Sequence, residues 1–277
     1  MNRRAILLSL ALVPASGMAG AQESFVSRFT AHNSNLGALQ PSWIVPLVTP
    51  DPRLIQYGRV SVSHEYTAAH AETVNFGNGR GFGVISGNRF EFDYVPPAYI
   101  QHNTAGAMDG FGDTSTLVKY RIASGNAKHG NFDVAAMLSH SFATGSYKNG
   151  AVTDSFSPTV AGGFAHGRFD VISSLGGCMP TGKIAAQGRS IAWNVAGQFH
   201  ASRSVWFEWG NNATFYFSGE HDGKMQNFVA PAAFYVLRRK EWKSTHPFLV
   251  FDAGMQVATS GFQTYNHNLI SETRILF

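Results

Sequence analysis

The 277-residue chain has one cysteine, Cys178, so it can form no internal disulfide, and that residue lies too far along to be the acylated first position of a lipoprotein. Charge is also scarce. Only 14% of residues are Asp, Glu, Lys or Arg, against roughly a quarter in ordinary soluble domains, which argues against a cytosolic enzyme. The 44% hydrophobic content excludes a disordered chain. Two of the net positive charges, formally +4, are Arg3 and Arg4; little basic field is left without them, and nucleic acid is not expected as a partner. Long apolar runs are missing too. The best, Phe228 to Leu237, contains Pro231 and stops at Arg238-Arg239-Lys240, short of the roughly 18 residues that mark a membrane-spanning helix.

What is present begins with a leader pattern. Arg3 and Arg4 precede an apolar stretch from Ala5 to Val13, and Ala19-Gly20-Ala21 offers small residues at a cleavage site. Residues 1–21 therefore read as a cleaved signal peptide, with Gln22 first in the mature chain. Residues 22–55 follow as an irregular segment, because Pro41, Pro46, Pro50 and Pro52 interrupt any regular element. Residues 56–277 form the third part, and there the texture changes to a period of two.

Val205, Phe207, Trp209, Ala213, Phe215 and Phe217 share one parity, and Glu208, Gly210, Asn212 and Thr214 the other. A strand with one apolar and one polar face follows. The same alternation recurs around Phe90, Trp193 and Phe251, in about twelve runs, each near the 9–11 residues that cross a bilayer as a tilted strand. Short joins at 86–88, 166–167 and 201–202 alternate with longer ones at 101–111, 143–153, 178–188, 218–223 and 259–264, the asymmetry of periplasmic turns and outer loops. The expected fold is all-β: a transmembrane antiparallel up-and-down barrel in the outer membrane, in contact with its lipids. Phe277 closes an amphipathic strand that also carries Ile275, Thr273 and Leu269 on its parity, and resembles the signal read by the barrel-assembly machinery.

If the apolar parity faces lipid, Arg59, Glu65, Arg89, Glu91, Asp93, Lys119, Arg121, Asp133, Asp170, Glu208, Asp252, Glu272 and Arg274 point into the lumen. Glu91 and Asp93 should then meet Lys119 and Arg121 on the neighbouring strand. That ladder has two readings: mutual neutralisation inside a polar lumen, or a charged constriction that sets solute selectivity. Trp43, Ile44 and Leu47, beside Val45 and Val48, make an apolar patch in the irregular segment; it either plugs the lumen or belongs to a tail left in the periplasm. Trp193, Trp206, Trp209, Tyr216, Tyr235 and Trp242 suit aromatic girdles. His200-Ala201-Ser202 and His32-Asn33-Ser34 are the nearest approaches to a serine with a histidine base, and His221-Asp222 lacks a second spaced pair for a metal. No catalytic residue, metal or cofactor is expected.

Gly110-Phe111-Gly112-Asp113 with Leu117 and Lys119-Tyr120-Arg121, Tyr57-Gly58-Arg59, and Asn88-Arg89-Phe90-Glu91 together resemble the outer-membrane family named for the meta-pathway of phenol degradation, over roughly residues 55 to 277. The Pro-rich segment before Tyr57 and the Gly-broken second strand depart from it. The resemblance implies a transport-type barrel linked to uptake of aromatic compounds, with no active site to carry over. The expected function is passive passage of small solutes, aromatic or apolar ones among them. A barrel-embedded lipid hydrolase and a structural or adhesive barrel are the alternatives.

Overall fold

A computed structural model of the chain describes residues 31–77, 79, 81–237 and 248–277; the proposed leader and Trp242 lie outside them. Fifteen strands form one closed antiparallel sheet: β1 Tyr57–Tyr66, β2 Glu72–Phe76, β3 Gly81–Ser86, β4 Phe90–Val95, β5 Tyr99–His102, β6 Gly110–Phe111, β7 Thr114–Gly125, β8 Phe132–Phe142, β9 Ser155–His166, β10 Phe169–Pro180, β11 Ser190–His200, β12 Val205–Tyr216, β13 Met225–Leu237, β14 Phe248–Ala258 and β15 His267–Leu276. Three staves are interrupted, so that β2 with β3, β4 with β5, and β6 with β7 each make one. The barrel has twelve staves and is sealed by β1 pairing with β15 from Tyr57↔Leu276 to Tyr66↔His267.

Each break has a local cause. The second stave is interrupted between Phe76 and Gly81, where Gly77 and Gly79 take φ of 106° and 76°, values open to glycine and costly for other residues. The third breaks at Pro96-Pro97, which supply no N–H to the ladder. Apart from these, the run boundaries read from alternation fall within a few residues of the strands. Connections at one end are short: 87–89, 126–131, 167–168 and 201–204. At the other end they cover 67–71, 103–109, 143–154, 181–189, 217–224 and 259–266. We call these the turn end and the loop end.

The burial pattern is inside out. Val60, Phe92, Val118, Leu138, Val160, Leu175, Trp209 and Phe251 are exposed on the outer surface, while Glu91, Lys119, Asp133, Glu208, Asp252 and Arg274 are buried within the barrel. That is the arrangement of a wall in hydrocarbon, where the closed sheet satisfies every strand's backbone and apolar side chains meet lipid. Arg89 is an exception to the inward set: it is exposed at a turn and donates through Nη1 to the outward Tyr120 hydroxyl at 2.9 Å. Trp206 departs from the girdle reading. It is buried inside, because its even parity on β12 is that of Glu208 and Gly210.

Candidate functional site: a latched segment in the lumen

Residues 41–56 enter the barrel from the turn end, run up to mid-height and return to Tyr57. Before them, helical residues 31–37 lie across that mouth, with His32 Nε2 3.0 Å from the Gly87 carbonyl. Leu39 and Ala38 accept hydrogen bonds from Ser124 and Asn126. The depth of entry can be read from two wall glycines. A Cβ at Gly254 would stand 2.5 Å from a Leu47 methyl, and one at Gly163 would stand 2.6 Å from the Trp43 ring. Glycine at these two positions creates the room that the segment occupies.

One half of the inner wall is apolar. Trp43, Ile44 and Leu47 pack with Ile172, Trp206, Phe234, Val236, Val250, Ile270 and Leu276 in one cluster. Burying such side chains is worth roughly 1.5–3 kcal/mol each. This is why β13 reads as a continuous apolar run: its odd residues face lipid, and of its inward even ones Ala232, Phe234 and Val236 pack in the segment's cluster.

The other half answers the segment's backbone. An irregular chain inside a barrel has polar groups that no strand can pair. Pro41, Pro46, Pro50 and Pro52 remove four donors at the outset. The Leu47 N–H donates to Glu208 Oε1 at 3.1 Å, and the Ile55 N–H to Glu91 Oε2 at 2.5 Å. The carbonyls of Val45 and Pro46 accept from Arg274 at 2.5 and 3.2 Å. Lys119 Nζ bridges the Arg53 carbonyl at 2.8 Å and Glu91 Oε1 at 2.7 Å. Within the segment, Arg53 reaches the Trp43 carbonyl at 2.7 Å and pairs with Asp51 at 2.5 Å. Burial alone would push the Asp51 carboxyl up, but Arg53, helped by Lys119, more than offsets it and holds Asp51 below its ordinary value.

Of the expected ladder, Glu91 and Lys119 are register partners and bonded. Asp93 lies opposite Leu117, one inward position above the pair, and interacts with both Glu91 and Lys119, whereas Arg121 turns away: it donates to Gln40 Oε1 at 3.0 Å and the Asn88 carbonyl at 2.6 Å. The Arg121 departure follows from register: it lies one inward position below Lys119, at the level of the turn, where its N–H donates to the Arg89 carbonyl. Missed in the sequence were Glu208 and Arg274 as partners of the segment, although alternation had placed both inward. Beside them, the segment and wall enclose a cavity of about 250 Å³ that reaches Tyr57, Arg59, Asp93 and Met137.

The remaining candidates fall elsewhere. Ser202 Oγ accepts the N–H groups of Ser204 and Val205 and closes a turn, a local structural use of a hydroxyl. His221 packs on Tyr216 and Phe262 in a loop. Among the described residues no group of three or more His, Cys, Asp or Glu is placed to hold a metal. Phe277 has an exposed side chain, and its N–H bonds the Gln56 carbonyl at 2.9 Å.

The fold is an outer-membrane β-barrel. It is similar to the solved COG4313 outer membrane channel from Pseudomonas putida F1, with a TM-score of 0.52 and 13% identity, covering 85% of this chain and all of that one. It is also similar to the NanC porin, with a TM-score of 0.51 and 10% identity over 79% of this chain and 98% of that one. At these identities the likeness concerns the fold. No family model and no curated protein matches the sequence.

Proposed function

We propose that the protein is a passive channel for small solutes whose lumen is closed at the turn end by its own residues 41–56. The observation that carries this reading is the way the segment is held. It adds no strand to the sheet, and its backbone is met by wall side chains, so it can leave without any ladder being broken. On this reading the turn end faces the periplasm, residues 1–21 are the leader, Phe277 is the assembly signal, and Trp43, Ile44 and Leu47 are the plug's core. The two solved barrels of similar fold are an outer membrane channel and a porin, which supports the reading.

The narrower proposal concerns the solute. Aromatic or apolar molecules, as uptake in the phenol meta-pathway family would require, would meet Trp206, Phe234 and Val236 only after the segment vacates that face. Glu91, Asp93, Lys119 and Arg121 would likewise set selectivity only in that open state; with the segment in place, two of them hold its backbone. Deleting residues 22–50 and recording single channels in planar bilayers tests the proposal. A several-fold rise in conductance is expected, and an unchanged conductance would remove the plug.

A further inference from the structure

We infer that the lumen on the loop side of the segment carries a binding belt for neutral, hydroxyl-rich ring molecules of the saccharide type. The belt lies two residues beyond the level that the segment reaches. Val48 approaches Gly210 and Leu47 approaches Gly254; one inward position further toward the loop end stand Asn212 on β12 and Gln256 on β14, flanked by Asn194 on β11 and Asn268 on β15. A two-residue step along a strand is about 6.6 Å, so these side chains stand above the segment's contacts with Gly210 and Gly254, Asn194 and Asn212 partly exposed and Gln256 and Asn268 buried.

Their hydrogen bonds run in a line round the wall. Asn194 donates to Ser174 Oγ at 3.1 Å, and Asn212 to Asn194 Oδ1 at 2.8 Å. Gln256 reaches across β13 to Asn212 Oδ1 at 3.4 Å, and Gln256 Oε1 accepts from the Tyr265 hydroxyl at 3.0 Å and from Asn268 at 3.4 Å. Asn268 is 2% exposed, yet its Oδ1 has no partner. A buried acceptor left without a donor costs about 1–3 kcal/mol, and a ligand hydroxyl would relieve that cost.

The chemistry of the belt selects a class. Amides both donate and accept, as hydroxyls do, and carry no charge. The long charge-free arc from Asn194 to Asn268 contrasts with Glu208, Asp252 and Glu272 two inward positions below, and offers no counter-ion to an anion. Its neighbour on β1 is Glu65, in register with Asn268, which disfavours an anion further. Tyr265 stacks on Phe228 with ring centroids 4.4 Å apart and stays partly exposed, a platform for the C–H face of a sugar ring. Apolar solutes would have to desolvate the amides without replacing their hydrogen bonds.

This assignment deepens the channel reading and rests on it for its biological direction. The test is saturation-transfer NMR on the full chain in micelles, with methyl glucoside as the neutral probe and glucuronate as its charged counterpart. Binding of the glucoside, and weaker binding of glucuronate, is expected. Asn212→Leu and Gln256→Leu should each weaken glucoside by about tenfold, the worth of one well-placed hydrogen bond, and Tyr265→Phe less than Tyr265→Ala. Heat-modifiable gel migration identifies the variants that are folded. Absence of glucoside binding to folded wild-type protein, tighter binding of glucuronate, or equal binding by folded variants overturns the belt. The two readings separate cleanly: conduction without binding removes the belt and leaves the channel, while binding without conduction, even after deletion of residues 22–50, removes the channel and leaves the belt.

Discussion

Replacing Lys119 with Met should open the lumen. The ammonium is 5% exposed and sits between the Arg53 carbonyl of the segment and Glu91 of the wall. With the segment docked, the variant loses a hydrogen bond to a charged group, about 1.5–3 kcal/mol, and leaves Glu91 buried beside an apolar side chain. With the segment out, water reaches Glu91 and that second cost disappears. Breaking a buried pair by removing one partner typically costs roughly 3–5 kcal/mol, here charged to the closed state alone. The closed-to-open ratio should then fall by about 10²- to 4 × 10³-fold, read as open probability in single-channel records. The companion variant Glu91→Gln, Lys119→Met removes both charges and keeps an acceptor for the Ile55 N–H. It should recover much of the closure, because an apolar or neutral replacement of a whole buried pair is often near neutral. An open probability unchanged within threefold in Lys119→Met, or a double variant more open than the single one, would refute the latch.

Trp43→Ala should loosen the segment by about 3–5 kcal/mol through the cavity it leaves, with the barrel's heat-modifiable migration unaltered; a barrel that unfolds with it would mean that the segment is part of the barrel's own stability. Gly163→Val should act similarly by overpacking, at about 1–3 kcal/mol, since its new atoms meet the Trp43 ring and Ile172; conductance recordings check it. The pH dependence has a definite sign. Asp51 titrates below its ordinary value near 3.8 when docked, so its contribution is present above that value and is lost as pH falls through the lower, docked value. Open probability should therefore stay flat from pH 7 to 5 on this group's account and rise only below the normal aspartate range; a step near neutrality abolished by Asp51→Asn would contradict this. Leu175→Arg, at mid-stave on the outer face and 57% exposed, should cost roughly 2–4 kcal/mol in refolding into liposomes, and little if that face met water.

The barrel was legible because a period of two carries information along its whole length. On β15, Leu269 and Ile275 lie outside while Asn268, Glu272 and Arg274 lie inside, and the same rule holds for the charges it assigns to the lumen except Arg89. Arg89 escaped it because parity loses meaning within a turn. Trp206 escaped because its aromatic character was weighed above its parity; position in the alternation was the better guide. The partners of the segment were hidden for a different reason. Nothing in local sequence tells which inward acid or base, 160 to 230 residues away, will meet Leu47 or Val45. Those contacts belong to closure of the sheet, which only a register can supply.

One stave held the missing information. In a water-filled barrel, inward positions should be polar, yet β13 places Phe234 and Val236 inside, each at 2% exposure. An inner face that is apolar in a barrel whose other staves alternate has to be covered by something, because water against it would forfeit the burial that makes those residues tolerable. The apolar patch at Trp43, Ile44 and Leu47 is the matching surface, and Gly163 and Gly254 mark where it fits. The prolines around that patch complete the inference: a segment that must lie inside a lumen without a strand partner does best with few backbone donors. A broken alternation on one stave, a proline-rich apolar patch ahead of the first strand, and glycines at inward positions of other staves thus belong to one physical cause.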